Sequence, residues 1–315
     1  MSTKLKGTIY GVIAAISYGT NPLGALFLYK DGLNAHSVLF YRFSIAAIIL
    51  AGIMLIQKKS FSVTRKEFCL LGVLGLLFAA SALGLFTSFL YMDAGIASTI
   101  LFVYPVMVAL IMALFFKERL SVITVLSIGL ALAGIALLYK GEGGSTLSTI
   151  GVLLVIASSL TYAIYIVVVN KSSVMMSSVK LTFYVLLFCM LAIGLHSLLK
   201  ESDHIQPLTT PTMWLWTIML ALVPTIISLI TMVKAVHAIG STPTAIMGAL
   251  EPLTAVVIGI AIFGETLTFR LMVGIVLILS AVILIIAGKS FTPVKIRTAV
   301  NGFGHVLKKY FRWKG

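Results

Sequence analysis

The sequence predicts an all-α membrane protein: ten transmembrane helices arranged as two inverted five-helix repeats around a central cavity. Three observations predict it. First, 60% of the 315 residues are hydrophobic and only 10% are charged, with a mean hydropathy of +1.13. A soluble chain carries about 25% charged residues, and lipid is the solvent that accepts the apolar surplus. Second, apolar segments near the ~20 residues needed to cross a bilayer recur ten times. Third, a proline inside an apolar run is followed thirteen residues on by a glutamate that ends the run, once as Pro105 and Glu118 and again, 147 residues later, as Pro252 and Glu265. A fixed offset of this kind marks an internal repeat.

The predicted spans are 6–28, 35–56, 68–91, 94–116, 121–140, 148–169, 178–199, 213–236, 242–263 and 268–288. The first holds Tyr18, Asn21 and Pro22. It is too long and too polar in its middle for a signal-peptide core, and no small-residue cleavage pattern follows it, so it reads as a retained span. The second carries Arg42. Asp93-Ala94-Gly95 separates the third from the fourth, and the stretch from His237 to Pro243 separates the eighth from the ninth; such turn residues prevent either pair from reading as one long helix. The fourth and ninth contain Tyr104-Pro105 and Glu251-Pro252. The fifth and tenth follow the two glutamates.

The repeat extends beyond these motifs. Ser17-Tyr18-Gly19 in the first span matches Thr161-Tyr162-Ala163 in the sixth at an offset of 144, and Phe40-Tyr41 in the second matches Phe183-Tyr184 in the seventh at 143. Each repeat therefore holds five spans, and an odd number makes the second copy cross in the opposite sense. Residues 1–140 form the first repeat, 141–288 the second, and 289–315 a tail. Inverted repeats are the architecture of alternating-access carriers, with the substrate site near the midplane.

The net charge of +14 would suggest a nucleic-acid partner in a soluble chain, but the placement of the charges argues for a membrane. Eighteen Lys and Arg fall on the side of both termini, against Lys30, Lys140, Lys200 and Arg270 on the other. The positive-inside rule then predicts a multi-pass protein with both termini cytoplasmic. The tail has seven of these basic residues and no acid. Phe303, Val306, Leu307, Tyr310 and Phe311 fall at helical spacing against Lys308, Lys309 and Arg312, the pattern of an amphipathic helix lying on an anionic leaflet; a nucleic-acid or partner-binding arm is the lesser reading.

No enzyme signature is present: neither HExxH, nor GxSxG, nor a Cys/His cluster at ligand spacing. Gly288-Lys289-Ser290 resembles the end of a P-loop, but Ile283 stands where the first glycine belongs. Cys69 and Cys189 both lie in apolar runs and offer no disulfide framework or metal set. His196 and His237 near span ends, and His36, His204 and His305 in or beside loops, read as structural. Asn170-Lys171-Ser172 matches a glycosylation acceptor on the side assigned to the cytoplasm and is discounted. The reading is therefore a non-enzyme without cofactor or metal.

Ionisable groups inside spans are the functional candidates, because burying them in hydrocarbon is costly. Glu251 leads them. Pro252 beside it frees the carbonyl of Gly248, and such an irregular turn is tolerated only against protein or a wet cavity. Its repeat mate is Tyr104, so the carboxylate is one-sided; it reads either as a proton- or cation-responsive group or as a neutral structural carboxylate. Arg42 reads first as snorkelling outward or pairing structurally with a helix-end carbonyl, and second as a substrate group. Tyr18 and Tyr162, at matched positions, could stack on or hydrogen-bond a small polar or aromatic solute, with interhelical packing as the plain alternative. Together with Asn21 they complete the predicted substrate site: Tyr18, Asn21, Arg42, Tyr104, Tyr162 and Glu251, with Pro22, Pro105 and Pro252 as structural hinges. Lys234 reads as a snorkelling anchor, Trp214, Trp216, Tyr29 and Tyr139 as an interface belt, and Glu118 and Glu265 as groups that fix the turn into the next helix, with a gate contact as the lesser reading.

Ten spans in two five-span repeats, with Glu251-Pro252 and Gly264-Glu265-Thr266-Leu267 in the second and Pro105 with Glu118 in the first, resemble the EamA-type branch of the drug/metabolite transporter superfamily. The first repeat departs from the pattern at Tyr104 and Lys117, where the second has Glu251 and Gly264. The resemblance implies ten helices around a cavity and a role in moving amino acids, other metabolites or toxic analogues across the inner membrane, often outward. The expectation is a secondary active transporter for a small molecule, an exporter, with proton or sodium coupling, as a monomer or homodimer and with no nucleic acid. The alternative is a lipid-flippase-like or structural membrane subunit that docks through its basic tail.

Overall fold

The computed structural model describes residues 3–116, 122–139, 147–172, 176–199 and 201–288, which are helical with short connections. Glu118 and the tail 289–315 lie outside the described residues. Ten helical stretches are long and apolar enough to cross a membrane, and every end falls within three residues of the sequence reading.

Four spans are broken. The first is α1 (Thr3–Gly19) and α2 (Asn21–Lys30), interrupted at Thr20; the fourth is α5 (Ala94–Leu101) and α6 (Tyr104–Phe116). The eighth runs from α10 (Pro211–Ala221) through one π-helical turn, Leu222–Ile227, into α11 (Ser228–Ile239). The short α12 (Ser241–Met247) leads into α13 (Leu250–Phe263) of the ninth. Pro22, Pro105 and Pro252 each sit in the first turn of the restarted helix, where the missing N–H leaves no bond unmade. The six other spans run unbroken: α3 (Ala35–Ile56), α4 (Arg65–Ser88), α7 (Val122–Tyr139), α8 (Thr149–Lys171), α9 (Ser178–His196) and α14 (Phe269–Gly288). Side-chain oxygens of Asn34, Thr64, Ser148, Ser177 and Thr210 cap five of the helix starts, which satisfies amides that lipid cannot.

Packing obeys the repeat. The main contacts join α1 to α11, α4 to α8, α3 to α9, α5 to α13 and α7 to α14. Exchanging the repeats turns the first of these pairs into the second and each of the others into itself. Spans 3–7 and 2–8 form another such couple, as do 4–6 and 1–9. Small residues let the helices approach, as membrane packing requires. A Cβ on Gly134 would lie 3.1 Å from the carbonyl oxygen of Gly274, and one on Gly75 would lie 2.3 Å from the Cβ of Phe188.

Glu265 does more than close its own turn. Its carboxylate crosses to the other repeat and accepts from the backbone N–H of Ala94 (2.8 Å) and Gly95 (3.2 Å) at the start of α5. The anion thus sits at a helix N-terminus, whose dipole and free amides favour it. Burial holds its carboxyl above the ordinary value and the neighbouring Asp93 charge pushes the same way, while the two amides pull it down. Burial also raises Asp93. A carboxyl raised on folding stabilises fully below its ordinary value, 4.5 for Glu265, and loses that contribution as pH climbs through the raised value. Detergent-solubilised protein should therefore unfold at a higher temperature near pH 5 than at pH 7.5, with a smaller difference in Glu265→Gln. An identical pH slope in the two proteins would contradict this account.

Candidate functional site

A cavity lined by residues of all four broken spans lies among the breaks. The first break contributes Tyr18, Asn21 and Pro22, the fourth span Ser98, Phe102 and Tyr104, and the eighth Ser228 and Met232. The ninth contributes Glu251, Pro252 and Ala255, while the unbroken α8 adds Tyr162. Five of the six predicted substrate residues thus line one cavity.

Close backbone approach brings the carboxylate to the first span. A Cβ on Gly19 would lie 2.5 Å from the Cβ of Thr254 and 2.6 Å from the carbonyl oxygen of Glu251, so the end of α1 rests directly on α13. That contact puts Tyr18 and Glu251 in the same cavity. Glu251 is partly exposed and has no ion-pair partner among the described residues. Asn21 is 4% exposed, and its Oδ1 has no hydrogen-bond partner, an expensive state for a buried acceptor. Among the described residues, these two acceptor groups in the cavity have no protein donor.

Aromatic rings wall it. Tyr104 and Tyr162 meet edge-to-face at 4.8 Å, Phe102 meets Tyr104 at 90° and 6.0 Å, and Tyr162 lies nearly parallel to Tyr165 at 5.9 Å. Such faces suit an apolar or cationic portion of a ligand. The repeat mates Tyr18 and Tyr162 both line the cavity, but the mates Tyr104 and Glu251 give it an aromatic and an acidic side.

Arg42 belongs to a second, adjoining cavity that shares Tyr18, Asn21 and Tyr162 with the first. The expectation that it snorkels outward fails: the residue is 4% exposed. Its Nε donates to Thr225 Oγ1 at 3.0 Å, and its guanidinium carbon lies 5.4 and 5.5 Å from the ring centroids of Phe43 and Phe86. The hydroxyl of Thr225 itself donates to the carbonyl of Leu220, five residues back, so the π turn positions the arginine. Pro105 lines neither cavity.

Ser98, Phe102, Tyr165, Thr225, Ser228 and Met232 escaped the sequence reading. Tyr165 stands one helical turn beyond Tyr162, and Pro224 inside the eighth span marked the irregular turn that holds Thr225; both signals were available. Two belt residues also pack inward: Tyr29 donates to the carbonyl of Phe86 at 2.9 Å and Trp216 stacks on Phe27 at 4.4 Å. Trp214 is 47% exposed, as a belt residue should be. Lys234 reaches over the ring of Tyr10 at 5.3 Å. Within the cavity Glu251 is the one anionic ligand for a cation. A separate group, His36, His196 and Asp203, gathers metal-ligating atoms at one end of the bundle.

The sequence profile of the EamA-like transporter family matches residues 5–140 and again 149–287. An "Uncharacterized transporter" of Archaeoglobus fulgidus is 29% identical over 61% of this chain and 67% of its own length. The "Uncharacterized transporter sll1319" of Synechocystis is 29% identical over 64% of this chain and 61% of its own. A solved structure titled "Crystal structure of protein" superposes with a TM-score of 0.62 at 17% identity, over 88% of this chain and 97% of that one, which supports the fold alone.

The Gly19 contact yields a test. In Gly19→Ala the new methyl must displace the backbone of α13, an overpacking cost of about 1–3 kcal/mol. Gly52 and Gly129 have nothing within 4 Å of a built Cβ, and alanine there should be neutral or stabilising by up to ~1 kcal/mol. Unfolding temperatures of the three variants in detergent check it; equal behaviour would remove the proposed seat of α1 on α13.

Proposed function

This chain belongs to the EamA-like transporter family, and from that premise we propose that it is a secondary carrier which exports a small metabolite by alternating access between its two repeats. The proposed substrate class is an amino acid, a related compound or a toxic analogue. The observation that carries this reading is the convergence of four broken spans from both repeats on one cavity with unpaired acceptors and aromatic walls. Freed backbone and polar side chains are tolerated at membrane depth only around such a cavity.

In this reading Tyr18, Asn21, Tyr104, Tyr162 and Glu251 contact the substrate, and Arg42 supplies a positive charge from the adjoining cavity. The breaks next to Pro22, Pro105 and Pro252 are the hinges. Glu251 is the coupling group: a lone carboxylate at membrane depth is costly to leave charged, so it exchanges a proton, or holds a sodium ion or the cationic part of the substrate, as the repeats rock. In this reading both termini face the cytoplasm, which the positive-inside count supports.

Reconstitution in vesicles with imposed pH and sodium gradients tests the proposal. Purified protein should move at least one amino acid, metabolite or drug; no flux of any under either gradient would overturn it. Glu251→Gln should abolish gradient-driven accumulation and leave exchange or downhill flux. An unchanged pH and sodium dependence in that variant would remove Glu251 from the coupling.

A further inference from the structure

The fold brings three metal-ligating side chains together that the transport cavity does not use. His36 stands on the first turn of α3 in one repeat; His196 ends α9 and Asp203 follows it in the other. His36 Nε2 and His196 Nδ1 are 2.9 Å apart. The rings are parallel within 3° with centroids 5.0 Å apart, so they lie side by side and share one proton between facing nitrogens. The other nitrogen of His36 faces Asp203 Oδ1 at 3.8 Å. One donor atom from each residue can be chosen so that all three lie within 4.8 Å of one another.

We propose that His36, His196 and Asp203 form a binding site for a borderline divalent transition metal, Zn²⁺ above all, that bridges the two repeats. Two imidazoles and a carboxylate are ligands that zinc takes readily, and three protein ligands leave a fourth position for water. Tetrahedral zinc with bonds of ~2.0–2.2 Å places its ligands roughly 3.3–3.5 Å apart. The two nitrogens therefore separate slightly and the carboxylate swings inward, displacements that side-chain rotation supplies. The shared proton occupies the position that the metal takes, so binding moves it to the outer nitrogen of its own ring and both imidazoles ligate as neutral groups.

The surroundings hold the ligands in place. The loop that carries Asp203 is pinned to the start of α3: Asn34 Nδ2 donates to the carbonyl of His204 at 2.9 Å, the Asn34 amide donates to Gln206 Oε1 at 2.7 Å, and the Gln206 amide donates to Ser37 Oγ at 2.7 Å. His36 is buried at 8% exposure, whereas His196 is exposed and Asp203 partly so, which gives an ion a path of entry. On the positive-inside count this end of the bundle faces outward. Metal there ties the start of α3 to the end of α9 and, on the carrier reading above, slows the cycle from outside.

Full-length protein, purified in detergent and stripped with chelator, is titrated with ZnCl₂ by calorimetry and followed by thermal unfolding. The expected result is one saturable Zn²⁺ per chain and a raised unfolding temperature. His196→Gln and Asp203→Asn change accessible groups and preserve the fold; each should weaken binding by at least about tenfold, while the exposed His204→Gln leaves it unchanged. Absence of saturable binding, or equal binding in His196→Gln, overturns the site. These readouts need no transport, so they stand or fall separately from the carrier reading. In vesicles, external Zn²⁺ should slow flux in the parent and not in His196→Gln; equal inhibition of both overturns the clamp.

Discussion

Lipid offers no hydrogen bonds, and that constraint governs where this chain can stop being helical. An unpaired N–H or C=O in hydrocarbon costs several kcal/mol, so every break at membrane depth must find a substitute partner. At Thr20 the hydroxyl donates to the carbonyl of Ser17 at 2.7 Å. In the π turn Thr225 donates to Leu220, and Ser228 just beyond it reaches across to the carbonyl of Ala14 at 2.9 Å. The breaks stabilise one another because they face a common interior, and that interior is the cavity. The site lies where it does because nowhere else could the backbone be irregular.

The repeat is symmetric in its contacts and asymmetric in its chemistry. Spans 4 and 9 are mates, pack against each other, and both restart at a proline. Spans 1 and 8 also pack together and both break, at Pro22 and Pro224. Their mates, spans 6 and 3, contain no proline and run straight as α8 and α4. Serines hold this straight pair together: Ser158 donates to the carbonyl of Ser81 at 2.6 Å, inside a buried contact. One seam of the bundle is therefore irregular and polar and the matching seam is rigid.

How much of this was legible depended on whether a signal is local. The spans, their ends and the repeat follow from apolar runs and fixed offsets, which local composition carries. Prolines beside polar residues located the breaks, and Pro224 would have revealed another had it been weighed like Pro22. Snorkelling is the ordinary fate of an arginine near a span end; only the fold shows Phe43, Phe86 and Thr225 around Arg42. Glu265 and the His36–His196–Asp203 group were out of reach for the same reason. Their partners lie 171, 170 and 160 residues away in sequence, in the other repeat, and no spacing rule connects residues that meet only across a packed interface.

The asymmetry constrains how such a molecule moves. In an ideal inverted repeat, the two access states interconvert when the halves exchange conformations. Here spans 1 and 6 differ, as do 3 and 8, because Pro22 and Pro224 lack an N–H that their unbroken mates possess. The fourth and ninth spans are the symmetric pair: α5 with α6 and α12 with α13, each broken just before its proline, each seated on the other. Glu265 fastens one end of that pair by capping α5 from the loop after α13. A movement of the fourth span away from the ninth must first release those two amide bonds, which makes this end of the pair the costly one to open.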